Sequence, residues 1–171
     1  MDMAMSLDGF VADRDDNSLY PIEELHKTKA LDELIETTGA VVMGRRAYEM
    51  AEGDFTEYEY QVPIFVLTHN VPEEAARGLP FTFVTDGIES AIEQARTVAG
   101  EMNVVVIGGA GAAQECIRAR VLDEIQIRLM PVLLGEGIRL FENLGTARIE
   151  LEQIRVIESP TRTDIRFRVV K

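Results

Sequence analysis

Four consecutive β-branched residues, Val104-Val105-Val106-Ile107, run directly into Gly108-Gly109-Ala110-Gly111, and a helical pattern follows from about Ala112 to Ala119. This run constrains the fold more than any other in the chain. A continuous apolar strand without polar alternation suits a strand covered on both faces, the usual condition of a parallel sheet with helices packed on it. The rest of the sequence repeats the theme. Short β-rich runs alternate with helical patterns, which predicts an α/β fold with a largely parallel sheet.

The strands are expected at Asp2–Leu7, Ala40–Met43, Ile64–Thr68, Phe81–Thr85, Val104–Ile107 and Glu124–Met130, with Pro131–Gly137 as a loop. Asp8-Gly9 reads as a turn, and Asp13 to Ser18 as a loop. A helix starting at Pro21 carries Leu31, Leu34, Ile35 and Thr38 on one face and is expected to stop at Gly39. Asp86 is the expected N-cap of a second helix, whose buried face is Ile88, Ala91, Ile92, Ala95 and Ala99. Ile149–Ile157 and Asp164–Val170 have no helix between them, only Ser159-Pro160-Thr161, so they are expected to add an antiparallel edge.

The 171 residues predict a single domain spanning 1–171, long enough to bury a full core. Thirty acidic residues against 17 Lys plus Arg leave a net charge of −13. Such a chain is repelled by polyanions, which argues against nucleic acid and anionic membranes as partners. Any anionic ligand therefore has to sit in a locally positive pocket. Arg outnumbers Lys 14 to 3, which fits either a high-salt cytoplasm or a GC-rich genome. The single cysteine, Cys116, in an apolar context, is expected to be a buried structural thiol; a disulfide framework, a multi-cysteine zinc site and any other metal centre are not expected. No leader pattern and no apolar run of spanning length is present, so a cytoplasmic protein is expected.

Several segments suit ligand chemistry. Glycines after a strand let backbone approach a phosphate, and the following helix offers free N–H groups; the alternative is a tight turn with no ligand. Met43-Gly44-Arg45-Arg46 places two arginines at the end of a strand, where ligands of open α/β sheets bind, and the guanidinium fork matches phosphate; the alternative is a surface ion pair with Glu49 or Glu52. Thr68-His69 stands at another strand end. A Rossmann fingerprint is incomplete, because Gln114 occupies the third glycine position and no acidic residue ends the next strand.

Taken in order, Ser6-Leu7-Asp8-Gly9-Phe10-Val11-Ala12, Gly44-Arg45-Arg46-Ala47-Tyr48-Glu49, Val66-Leu67-Thr68, Ile107-Gly108-Gly109-Ala110, Asp123-Glu124-Ile125 and Pro131 to Gly137 with Leu140-Phe141 form a series. It resembles the dihydrofolate reductase-like family that includes the riboflavin-biosynthesis reductase domain, the RibD C-terminal domain. The resemblance covers nearly the whole chain. It implies a three-layer αβα sandwich with a mixed, mostly parallel central sheet that binds NADPH, with NADH as an alternative. On that resemblance Ser6, Val11 and Ala12 border the nicotinamide, and Gly44, Arg45, Arg46 and Ala47 sit at the 2′-phosphate and pyrophosphate. Thr68 and His69 approach the adenosine side, and Ile107, Gly108, Gly109, Ala110 and Gly111 hold the pyrophosphate. The Gly108–Gly109 peptide is expected to be cis, as is frequent in the family. Ala47 replaces a threonine common in the family and removes one hydroxyl contact.

The expected activity is NADPH-dependent hydride transfer to a small planar heterocycle, pterin- or pyrimidine-like. The alternatives are a cofactor- or ligand-binding homologue without reductase activity and a Rossmann-type dehydrogenase. Asp8, Glu24 and Asp32 (with Glu23 near them) are the candidate catalytic carboxylates. Phe10 and Phe55 are candidates for the substrate wall, with Tyr58 and Tyr60 beside them, against the alternative that they are ordinary core aromatics. The resemblance also implies a homodimer, through Glu124–Met130 or the closing strands.

Overall fold

The computed structural model describes residues 1–15, 19, 29–50, 54–74 and 78–171. The chain opens with β1 (Asp2–Ser6) and β2 (Phe10–Ala12), followed by α1 (Lys29–Thr37), β3 (Thr38–Gly44) and the short α2 (Arg45–Glu49). Next come β4 (Ile64–Leu67), β5 (Phe81–Val84), α3 (Ile88–Ala99), β6 (Asn103–Val106) and α4 (Ala110–Arg118). It closes with β7 (Glu124–Met130), β8 (Ile138–Arg139), β9 (Leu151–Glu158) and β10 (Thr163–Val169).

Parallel pairings order one sheet as β5-β4-β3-β6. A second sheet runs β1-β7-β10-β9, parallel between β1 and β7 and antiparallel thereafter. A parallel bridge between Asp2 and Ile107 joins the two. The sheet is thus mixed and mostly parallel, and helices pack on both faces.

Strand periodicity builds the two faces. Successive residues of a strand point to opposite sides, so β3 sends Ala40 and Val42 to one cluster and Val41 and Met43 to the other. The first cluster is closed by α3, through Ala91, Ile92 and Ala95, and by α4, through Ala113, Cys116 and Ile117. The second is closed by Leu31 and Leu34 of α1 together with Tyr48, Phe55 and Tyr60. Removing such side chains from water, at about 1.5–3 kcal/mol each, is what holds helices against sheet. All five residues expected on the buried face of α3 are buried. Cys116 is fully buried, and burial pushes its thiol up to about 12.

Four local expectations need correction. The helix ends at Thr37, and Thr38 already belongs to β3, where its hydroxyl donates to the Leu34 carbonyl at 2.6 Å. Gly39 is therefore a strand residue. A Cβ there would lie 2.8 Å from Met102 Cβ and 2.9 Å from Ala99 Cα, so the glycine serves the close approach of the end of α3. Asp86 does not cap α3; its carboxylate accepts from the Thr85 hydroxyl, and the N-cap is Gly87, with φ of +99° and no side-chain cap. The Gly108–Gly109 peptide is trans, not cis, and the turn is made by φ values of +71° and +79° at the two glycines. Finally, β2 and β8 pair with each other, at positions for which no strand was expected. Strands of two or three residues carry no readable periodicity.

The N-terminal part of the helix expected from Pro21, including Glu23, Glu24 and His26, lies outside the described residues. No helix among the described residues is long and apolar enough to cross a membrane.

Candidate functional site

The C-terminal ends of parallel strands are where this architecture leaves free backbone groups and loops. Here the ends of β3, β4, β5 and β6 meet β1 and β2 around a cleft of about 680 Å³. After β3 stand Gly44, Arg45, Arg46 and Ala47; after β4, Thr68 and His69; after β6, Ile107, Gly108, Gly109, Ala110 and Gly111. All of them line the cleft, as do Val11 and Ala12 of β2.

The two strand-to-helix turns are stitched together. The Gly44 N–H donates to the Gly108 carbonyl at 3.3 Å, and the Ile107 N–H to the Val42 carbonyl at 2.9 Å. A Cβ on Gly108 would lie 2.5 Å from Ala47 Cβ, and one on Gly109 would lie 3.2 Å from Gly44 Cα. Glycine is thus required by proximity as well as by positive φ. Gly111, in the first turn of α4, has no atom within 4 Å of where its Cβ would be. No side chain caps the N-terminus of α4. The first-turn amides of that helix border the cleft, a backbone arrangement that attracts anions.

Arg45 is half-exposed, and its Nε donates to Glu49 at 2.6 Å within α2, so the surface ion pair foreseen as an alternative forms while Arg45 also lines the cleft. Arg46 is exposed beside it. The Thr68 hydroxyl is held within its own turn, donating to the Asn70 carbonyl at 2.9 Å and accepting the Asn70 N–H at 3.2 Å. His69 is exposed.

Other candidates sit elsewhere. Ser6 is fully buried; its hydroxyl donates to Asp8 at 2.7 Å and accepts the Phe10 N–H at 2.9 Å, and it does not line the cleft. Asp8 also stays outside. Its carboxylate accepts the N–H groups of Leu134 and Gly135 at 3.2 and 2.7 Å, which ties the 131–137 loop to the first turn. The Ser6 hydroxyl and these two amides hold the Asp8 carboxyl down at about 2. A depressed carboxylate contributes stability above its unfolded pKa and loses it as pH falls through the folded one. In Asp8→Ala, the Leu134 and Gly135 amides are therefore expected to exchange hydrogen faster than in the parent. In the parent their protection persists through pH 4 and declines only toward about 2; protection unchanged by the substitution would show that Asp8 does not hold the loop. Asp32 is exposed on α1, away from the cleft. Phe10 is buried under the Arg139 guanidinium, 4.4 Å from its ring centroid, and is not a cleft residue. Phe55 does line the cleft, from within an aromatic cluster with Tyr48, Tyr58 and Phe81.

The sequence reading missed the floor of the cleft. Asp2 and Arg128 line it, one from β1 and one from β7, and both are buried. Arg128 donates from Nε to Asp2 Oδ1 at 3.1 Å and from Nη2 to Oδ2, and Gln126 Nε2 adds a third bond to Oδ1 at 3.3 Å. Burial lowers the Arg128 pKa, but the charge and hydrogen bond of Asp2 together reverse this and leave it above its ordinary value. Burial pushes the hydroxyls of Tyr58 and Tyr60 well up, so both remain neutral. Tyr60 Oη is buried with no hydrogen-bond partner among the described residues, a condition that costs about 1–3 kcal/mol if left unmet. The available signal was an aspartate preceding the apolar run Met3-Ala4-Met5 and an arginine in a strand that is covered on both faces.

Comparisons with known proteins agree on this architecture. A sequence model of the RibD C-terminal domain matches residues 1–163. The YwjB protein of Bacillus subtilis is 26% identical over 144 residues, which cover 83% of this chain and 81% of that protein. A Shewanella sp. PV-4 protein named for riboflavin biosynthesis superimposes with a TM-score of 0.76 at 24% identity, covering 99% of this chain and 97% of its own. The Thermotoga maritima diaminohydroxyphosphoribosylaminopyrimidine deaminase/5-amino-6-(5-phosphoribosylamino)uracil reductase gives 0.72 at 15% identity, over 99% of this chain and 55% of that one. Dihydrofolate reductase from Enterococcus faecalis, complexed with NADP(H), gives 0.65 at 16% identity, over 99% and 94%. The fold is therefore dihydrofolate reductase-like.

Proposed function

Because the chain belongs to the RibD C-terminal domain family, we propose that it is an NADPH-dependent reductase that transfers hydride to a small planar heterocycle, pyrimidine- or pterin-like. Support comes from the neighbours, which include a pyrimidine reductase and a dihydrofolate reductase complexed with NADP(H). The observation that carries the reading is the pair of glycine turns after β3 and β6, packed so closely that a Cβ on Gly108 has no room, at the mouth of a cleft flanked by two arginines.

The residues present fit such a cofactor. The uncapped first turn of α4 and the open face at Gly111 suit a pyrophosphate. Arg45 and Arg46 suit a terminal phosphate, which an otherwise −13 chain must neutralise locally. Bound NADPH supplies the hydride; the chain binds, orients and dries the reacting groups. Val11, Ala12 and Ile107 offer apolar cover in the cleft, and Phe55 and Tyr58 add aromatic surface to its lining. Holding two planar rings in one orientation there supplies the proximity that hydride transfer needs.

Stopped-flow measurement of NADPH oxidation against a panel of dihydropterins and aminopyrimidinones is the test. Oxidation coupled to one substrate class is the expected result. Tight NADPH binding without turnover on any heterocycle would favour the cofactor-binding homologue, a reading consistent with the missing hydroxyl at Ala47. No NADPH binding even at millimolar concentration would remove both.

A further inference from the structure

We propose that Asp2 and Arg128 are specificity-determining residues of the cleft floor, and that Arg128 masks the Asp2 carboxylate so that the floor accepts a heterocycle with an uncharged lactam edge and rejects one with a cationic amidine edge. The inference rests on reading the cleft as a heterocycle site.

A bare carboxylate at the bottom of an apolar cleft pairs with an amidine through two parallel hydrogen bonds, the strongest arrangement available to it. Here that arrangement is already taken. Both Asp2 oxygens accept from Arg128, from Nε and Nη2, and Oδ1 also accepts from Gln126. Side-chain exposure is 1% for Asp2 and 9% for Arg128, so of the two lining residues the arginine is the more accessible. A guanidinium carries five N–H donors. Two are spent on Asp2, and the remainder favour a carbonyl acceptor. A protonated amidine would face the same guanidinium at short range with no carboxylate oxygen to reward it.

Asp164 of β10 and Arg162, which precedes that strand, form a second buried pair, with Arg162 Nε 2.9 Å from Asp164 Oδ1, so each of the two buried pairs is internally neutral, and Glu59 is a further carboxylate of the cleft lining. Asp164 lies opposite Arg128 in the β7–β10 register. The Tyr60 hydroxyl, buried and unpartnered, feels the charges of both Asp2 and Arg128 and belongs to the same polar cluster. Tyr60 itself does not line the cleft, so a ligand edge there meets Arg128, whose donors beyond the two spent on Asp2 suit an acceptor.

Two probes of the same size isolate the edge: 2-pyridone, a neutral lactam, and 2-aminopyridine, studied below its own pKa as the amidinium. Ligand-observed NMR titration of the NADPH-loaded protein is expected to show 2-pyridone binding about tenfold or more tighter. In Arg128→Met the mask is removed and the preference is expected to invert. That variant leaves a buried charge uncompensated and can lose folding. The double variant Asp2→Asn/Arg128→Met removes both charges, and it is expected to fold and to bind the two probes within about threefold of each other. Equal affinities in the parent, or the parent's preference persisting in the double variant, would overturn the assignment. If NADPH binds and neither probe does, the specificity proposal falls while the cofactor reading stands. If NADPH does not bind, the reading it rests on falls first.

Discussion

Replacing Gly108 by alanine is expected to lower stability by about 2–4 kcal/mol and to abolish tight NADPH binding. Two independent costs combine. At φ of +71° an L-residue with a Cβ pays about 1–2 kcal/mol for the left-handed conformation. The new methyl would also stand 2.5 Å from Ala47 Cβ, at the start of α2, where neither backbone can move without breaking the Gly44 N–H to Gly108 carbonyl bond. For a domain of this length the sum corresponds to a drop of about 5–15 °C in melting temperature. Gly111→Ala is the control. It sits nearby in the first turn of α4, without positive φ and with no atom within 4 Å of its Cβ position. Without NADPH its melting temperature is expected to match or slightly exceed the parent's. Thermal unfolding with and without NADPH reads both. An unchanged Gly108→Ala melting curve would show that the two turns do not make the close approach described.

The second large effect is expected at Arg45 and Arg46. Charge-assisted bonds to a phosphate contribute about 1.5–3 kcal/mol, so Arg45→Ala or Arg46→Ala is expected to weaken NADPH by roughly tenfold to a hundredfold. NADH, which lacks the 2′-phosphate, should lose far less. Both arginines are solvent-accessible, so the difference should shrink as salt is raised. Arg45 is held by Glu49, and Glu49→Ala separates the ion pair from the phosphate contact: it frees Arg45 without removing its charge, so NADPH affinity should hold or rise. Fluorescence titration with each cofactor decides. Equal losses for NADPH and NADH would remove the 2′-phosphate assignment from these residues and leave only a general electrostatic contribution.

The acidic composition takes its meaning from this site. A net charge of −13 argued against polyanion partners, and it also means that positive potential has to be local. The cleft collects Arg45, Arg46 and the N-terminus of α4 on one rim, and the internally neutralised Arg128 on its floor.

What was legible in the sequence is what short-range periodicity encodes. The buried stripe of α3, the strand running into glycines at 104–111 and the antiparallel closure by β9 and β10 each lie within one or two elements, and each appears in the structure. The order of motifs along the chain added the family, because that order requires no knowledge of contacts. Tertiary structure alone decided the rest. Asp2 and Arg128 are 126 positions apart, and only the parallel register of β1 on β7, with Ala4 opposite Arg128, places them together on the cleft floor. Gly39 reads as a helix stop, yet its lack of a side chain answers to Ala99 and Met102 at the end of α3, packed against it. Asp8 and Ser6, in a motif that resembles a cofactor-binding turn, spend their hydrogen bonds on each other and on a loop some 126 residues away. Local pattern follows from the chain's own geometry, repeated every two or 3.6 residues. A pairing between distant residues depends on strand register and close backbone approach, which no local window of residues contains.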